Sequence, residues 1–170
     1  MKTLTAKKNY IVMLITLAIC IGVDQFTKYL AVVHLKGTEG IELIPGVFKF
    51  YYLENRGAAF GMLQNQQILF FILTLVIVVI ISILYTKLPL TKRFTPLRLC
   101  AIFLIAGAIG NMIDRVRQSF VVDFLYFELI DFPIFNVADI YVTVSTAVFI
   151  VLILFYYKEE ELETIKLRKK

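Results

Sequence analysis

Residues 68–85 read ILFFILTLVIVVIISILY, eighteen consecutive positions without a charge or a proline. About 20 residues of helix, rising ~1.5 Å each, cross the hydrocarbon of a bilayer, so this run reads as a membrane span. Three further apolar stretches flank it, and the expected spans are about 10–30, 68–86, 98–115 and 139–157. Composition agrees. With 59% hydrophobic residues, 18% charged residues and a mean hydropathy of +0.80, the chain lies outside the range of soluble domains. The expected fold class is an all-α membrane protein, a single integral membrane domain over 1–170. Four spans leave no room for a separate soluble unit.

Basic residues orient the bundle. Lys2, Lys7 and Lys8 precede the first span, Lys87, Lys92, Arg93 and Arg98 lie between the second and third, and Lys158, Lys166, Arg168, Lys169 and Lys170 follow the fourth. Those twelve of the eighteen Lys and Arg residues fall on one side, which the positive-inside rule makes cytoplasmic. The cytoplasmic segments are then 1–9, 87–97 and 158–170, and the extracytoplasmic ones 31–67 and 116–138. Anionic lipid headgroups account for the basic tails without a nucleic-acid partner. The first span follows lysines as a secretory signal would, but no small-x-small cleavage pattern follows Gly22, and it is read as a retained helix.

This topology gathers the polar residues. Asp24 and Lys28 near the end of span one, Asp114 and Arg115 at the end of span three and Asp139 at the start of span four share one depth, near the outer surface. Asn55, Arg56, Asn111, Asp123 and Asn136 lie on that side too, whereas the only cytoplasmic acids, Glu159, Glu160, Glu161 and Glu163, read as a solvated tail. In the first external loop, Pro45-Gly46 is a turn signal, and residues 47–53, VFKFYYL, favour strands. A short strand pair or small sheet on the membrane surface is expected there.

Inventory narrows the chemistry. One histidine, His34, and two cysteines, Cys20 and Cys100, both within apolar spans, cannot build a three- or four-ligand zinc site. The cysteines read as packing residues. Ser119 is the only serine outside the spans, which makes a serine-histidine triad with His34 a poor arrangement.

Carboxylates remain, and ionisable groups at the edge of hydrocarbon are functional candidates. Each also has a plainer reading. Asp24 and Lys28, four apart on one helix face, could neutralise each other; Asp114 could pair with its neighbour Arg115. Asp139 could favour a helix N-terminus through the macrodipole, with Asn136 better placed as the cap itself. Asp123, followed by Phe124-Leu125-Tyr126-Phe127, could belong to an interfacial amphipathic segment. Residue chemistry alone does not choose a reactive pair among Asp24, Asp114, Asp123, Asp131 and Asp139.

At these positions the chain resembles the type II, or lipoprotein, signal peptidases of bacteria. The likeness rests on Asp24-Gln25-x-Thr27-Lys28, Asn55-Arg56-Gly57-Ala58-Ala59-Phe60-Gly61, residues 107–115 (GAIGNMIDR), Val121-Val122-Asp123-Phe124, and Phe132-Pro133-x-Phe135-Asn136-x-Ala138-Asp139. It implies an aspartyl endopeptidase of the bacterial cytoplasmic membrane that uses Asp123 and Asp139 as its dyad and no cofactor or metal. Its substrates would be diacylglyceryl prolipoproteins, cut on the amino side of the lipidated cysteine. The resemblance further implies substrate positioning by Asn55, Asn111, Arg115 and Asn136, and organisation of the site by Asp24, Lys28, Gly110 and Asp114. A monomer in contact with membrane lipids is the expectation. Two other classes use similar residues: a small proton-coupled transporter, and a lipid-phosphate enzyme holding Mg²⁺ on its aspartates.

Overall fold

A computed structural model describes residues 6–57 and 66–167 of the chain. Helix α1 (Ala6–Leu35) is followed by strands β1 (Ile41–Ile44) and β2 (Phe48–Asn55), then α2 (Gln67–Lys87) and α3 (Thr95–Gln118). Strand β3 (Val121–Tyr126), α4 (Val137–Val151) and a short α5 (Glu159–Leu167) complete it. Four helical stretches, Lys7–Leu35, Gln67–Lys87, Lys92–Gln118 and Val137–Tyr156, are long and apolar enough to cross a membrane. They match the four expected spans. The first outruns its expected end, because Ala31-Val32-Val33-His34-Leu35 holds no helix breaker and the chain turns only at Gly37, φ +80°.

Helix α3 is the axis of the bundle. Half of its apolar stretch is buried, against 11% or less in the other three. Its buried positions include Cys100, Ala101, Ile105, Ala106, Gly107, Gly110 and Asp114, and it packs against α1, α2 and α4. Small residues set the closest approach. A Cβ at Gly107 would stand 2.5 Å from the Ala138 carbonyl oxygen of α4. By contrast α2 buries only Tyr85 and turns its Ile, Leu and Val side chains outward, the arrangement expected of a helix solvated by lipid.

Buried positions on α1 recur at Cys20, Asp24, Lys28, Ala31 and Leu35, spacings of three and four that trace one helical stripe. Its upper end, Ala31 and Leu35, meets Val122 and Phe124 of β3 in one apolar cluster. The cysteines are buried and free, as packing residues should be.

A three-stranded antiparallel sheet of order β1-β2-β3 sits at the end of the bundle where α1 and α3 finish. The β1–β2 hairpin turns through Ile44-Pro45-Gly46-Val47, with Gly46 at φ +69° and the Val47 N–H donating to the Ile44 carbonyl at 2.9 Å. Proline then positive-φ glycine is a type II turn. The third strand was not expected. It comes from the second external segment and pairs Leu53 with Asp123 and Asn55 with Val121, so the interfacial segment that holds Asp123 is a strand of the sheet.

Ser119, left-handed at φ 65°, caps α3 by donating its N–H to the Arg115 carbonyl at 3.0 Å. At the far end of the bundle α4 continues through a π-helical turn, Leu152–Tyr156. The acidic stretch there is not merely a solvated tail. It forms α5, whose Leu162 packs against Leu88, Phe94, Leu97 and Tyr157, while Arg93 pairs with Glu161 at 2.9 Å.

Candidate active site

Alternation along β3 aims its side chains. Val122 and Phe124 enter the apolar cluster against α1, so Val121 and Asp123 point to the opposite face. There they border a cavity of about 1080 Å³, walled also by Asn55 at the end of β2 with Arg56 and Gly57 beyond it, by Asn111 and Arg115 of α3, by Phe70 of α2 and by Asp139 of α4.

Asp139 reaches the same cavity from the first turn of α4. Asn136 is the N-cap: its side-chain oxygen accepts the Asp139 N–H at 3.0 Å, and Asp139 Oδ2 accepts the Asn136 N–H at 3.1 Å. This reciprocal capping box fixes the start of α4 and the aim of Asp139 together. The other oxygen, Oδ1, accepts from Asn111 Nδ2 at 2.8 Å. The expected cap is therefore present.

Asn136 also joins the two aspartates. Its Nδ2 donates to Asp123 Oδ1 at 2.6 Å and to Asn111 Oδ1 at 3.1 Å, while Asp123 Oδ2 accepts from Asn55 Nδ2 at 2.8 Å. Asp123 is 1% exposed. Burial, and then the charge of Asp139, push its carboxyl up to about 7, against the hydrogen bonds from Asn55 and Asn136. Two carboxylates that share one site cannot both ionise cheaply, and such a pair titrates as a unit.

Behind the pair lies a charged cluster shared by α1 and α3. Lys28 Nζ is 2.9 Å from Asp24 Oδ2, 3.0 Å from Asp114 Oδ2 and 2.8 Å from Asn111 Oδ1. All the charges here are buried, and backbone joins in: the Ala138 N–H donates to Asp24 Oδ1 at 2.9 Å and the Val122 N–H to Asp114 Oδ2 at 3.2 Å. Asp24 and Lys28 do pair along one helix face, but as part of a larger cluster. Gly110 makes room for it, since a Cβ there would lie 2.5 Å from Asp24 Oδ2.

The plainer reading of Asp114 with Arg115 is not what the structure holds. Adjacent helical residues face about 100° apart, so Asp114 turns inward to Lys28 while Arg115 turns to the cavity. There the guanidinium donates to the Gly57 carbonyl at 3.3 Å and covers the Phe70 ring at 4.5 Å. Asp131 is at the exposed rim, held by the Tyr126 hydroxyl at 2.6 Å.

Asp123, Asp139, Asn55, Asn111 and Asn136 thus form one network, with Lys28, Asp24, Asp114 and Gly110 behind it and Arg115 on the cavity wall. Gln25 was missed as a site residue. Its Nε2 bridges Asp24 Oδ2, Asp114 Oδ1 and the Gly110 carbonyl at 3.0–3.2 Å, and its place beside Asp24 in the first motif was the available signal. Ala58, Ala59, Phe60 and Gly61, quoted in the second motif, lie outside the described residues.

Comparison with known proteins gives a consistent picture. A family profile described as signal peptidase (SPase) II matches residues 16–155. The lipoprotein signal peptidase of Streptococcus thermophilus (strain CNRZ 1066) is 46% identical over 140 residues, 82% of this chain and 88% of that protein. That of Streptococcus pneumoniae (strain ATCC BAA-255 / R6) is 45% identical over 154 residues, 91% and 97% of the two chains. A bacterial membrane enzyme solved by the in meso method at 2.3 Å superposes with a TM-score of 0.75 at 31% identity, covering 87% of this chain and 92% of that one.

Proposed function

The chain belongs to the signal peptidase II family, and on that premise we propose that it is an aspartyl endopeptidase acting on diacylglyceryl prolipoproteins, with Asp123 and Asp139 as its dyad. As a family member it is a multi-pass bacterial membrane protease that removes signal peptides from prolipoproteins. The cut falls on the amino side of the lipidated cysteine. The observation that carries the dyad is the convergence of Asp123 and Asp139 on one buried asparagine, Asn136, at the wall of a large cavity.

In this reading one carboxylate, ionised, draws a proton from the attacking water. The other, protonated, donates to the scissile carbonyl oxygen as the tetrahedral intermediate forms. The roles exchange when the amine leaves. An Asp123 that keeps its proton to about 7 suits the donor role at the outset. No metal enters these steps.

Asn55, Asn111 and Arg115 border the cavity and can meet substrate backbone. Asn136, fully buried with its amide spent on Asp123, Asn111 and the α4 cap, is assigned to holding the carboxylates rather than the substrate. The positive-inside pattern supports cytoplasmic termini, with the sheet and the 116–138 segment outside. The lipid anchor then holds the substrate cysteine at the depth of the dyad while its acyl chains stay in the bilayer. A monomer carries every group named.

Cleavage of a diacylglyceryl prolipoprotein in detergent by wild type, Asp123→Asn and Asp139→Asn tests this. Both variants should be inactive; turnover near the wild-type rate by either would remove the dyad.

A further inference from the structure

We propose that Lys28 is a positioning residue whose ammonium dictates which way the Asn111 and Asn136 amides face, so that only N–H groups meet the two aspartates. An ammonium has donors and no acceptor. The three donors of Lys28 are spent on Asp24, Asp114 and Asn111 Oδ1, at 2.8–3.0 Å. Asn111 must therefore turn its oxygen to Lys28, which leaves its Nδ2 for Asp139 Oδ1 at 2.8 Å.

The constraint passes on. The same Asn111 oxygen accepts from Asn136 Nδ2 at 3.1 Å, so the Asn136 amide group faces Asn111 and Asp123, and its oxygen faces the α4 cap. Flipping Asn111 would set its oxygen against a carboxylate and its N–H groups against an ammonium. Asn55 is oriented independently, by the Gly57 N–H donating to its oxygen at 3.0 Å. All four oxygens of the pair consequently accept an N–H: from Asn136 and Asn55 on Asp123, and from Asn111 and the Asn136 backbone on Asp139.

Lys28 itself, 3% exposed, neither borders the cavity nor contacts either aspartate by hydrogen bond; its charge is felt by both, and its hydrogen-bonding geometry reaches them through Asn111. The charged groups around the pair are Asp24 and Lys28 from α1, Asp114 and Arg115 from α3, Glu54 of β2, Arg56 just beyond it, and Asp131 at the rim. The α4 cap still holds the Asn136 oxygen, so losing the ammonium frees the Asn111 amide to present oxygen to Asp139, which disfavours the ionised carboxylate that must activate water.

The inference rests on the proposed cleavage reaction. Lys28→Met alone would strand two buried acids, so the informative variant is Lys28→Met with Asp24→Asn and Asp114→Asn, since neutral replacements of buried ion clusters are often tolerated. Folding is followed by thermal unfolding in detergent, and cleavage of a diacylglyceryl prolipoprotein is measured from pH 4 to 9.

The triple variant should lose kcat on the order of 10²-fold with KM unchanged, and the acidic limb of its pH–rate profile should move up by about one unit. Asp24→Asn, which keeps the ammonium, should not move that limb upward. A folded triple variant with wild-type kcat and limb overturns the proposal, as does an equal upward shift in Asp24→Asn. Should the triple variant not fold, Lys28→Arg decides: still donor-only, it should keep the wild-type limb, and an upward shift overturns the assignment. A wild type that fails to cleave this substrate overturns the proposed function instead.

Discussion

Asn136 Nδ2 lies 2.6 Å from Asp123 Oδ1, so a fully buried amide ties a strand that closes one wall of the cavity to the helix that starts on the other. Replacing Asn136 by Ala removes the helix cap and the amide donor to Asp123 at once, while the backbone N–H that Asp139 accepts stays in place. Cap loss alone costs about 1 kcal/mol. Asn136→Ala should lower Tm by several degrees and kcat by at least about tenfold, whereas a change in KM without kcat would return Asn136 to a substrate-holding role.

Cleavage should collapse by about 10²-fold or more in Asp123→Asn and Asp139→Asn, the scale of a lost general acid or base. Wild-type activity should be indifferent to EDTA. Inhibition by chelator, restored by Mg²⁺, would favour the lipid-phosphate alternative.

Stability should depend on pH through Asp123. Its carboxyl holds a proton up to about 7 when folded, against 3.8 in a free chain, so between those values the folded state binds more protons than the unfolded. Its contribution is therefore fully present below about 4, shrinks as pH rises through that window, and is gone above it. Thermal unfolding at pH 4, 5.5 and 7 should show this slope in wild type and a flatter one in Asp123→Asn.

Two glycines on membrane helices should respond oppositely to alanine. At Gly110 the new Cβ would sit 2.5 Å from Asp24 Oδ2, which the buried cluster cannot yield cheaply, so Gly110→Ala should cost about 1–3 kcal/mol and most of the activity. At Gly22 nothing lies within 4 Å, and Gly22→Ala should be neutral or stabilising. Paired unfolding curves check both.

At the opposite end of the bundle Arg93 stacks 3.8 Å over Tyr156 and pairs with Glu161, far in sequence from every site residue. Arg93→Ala should lower Tm by a few degrees and leave kcat/KM unchanged. A loss of activity at unchanged Tm would show that this end communicates with the site.

The spans were legible because each apolar run declares itself locally, and so were the Pro45-Gly46 turn and the Asn136 cap, which depend on residues within three or four positions. β3 was not. Val121–Tyr126 becomes a strand by pairing with β2, so that Asp123 meets Leu53, seventy positions back, and no local pattern encodes that. The same holds for Lys28 and Asp114, joined between helices at 3.0 Å although Arg115 stood next in sequence. Topology put the acids at one depth, and the family resemblance chose Asp123 and Asp139 among them. Their common partner, Asn136, became visible only in three dimensions.

The capping box of α4 has a bearing on how the helix behaves during turnover. Asp139 Oδ2 is the acceptor that secures the Asn136 N–H, and in the proposed reaction this carboxyl takes and returns a proton each cycle. A proton on that oxygen would compete with the backbone N–H for the same lone pairs, so the proposed reaction and the cap of α4 draw on one carboxyl group. The end of a membrane-crossing helix, ordinarily scaffold alone, is here scaffold and reactant at once.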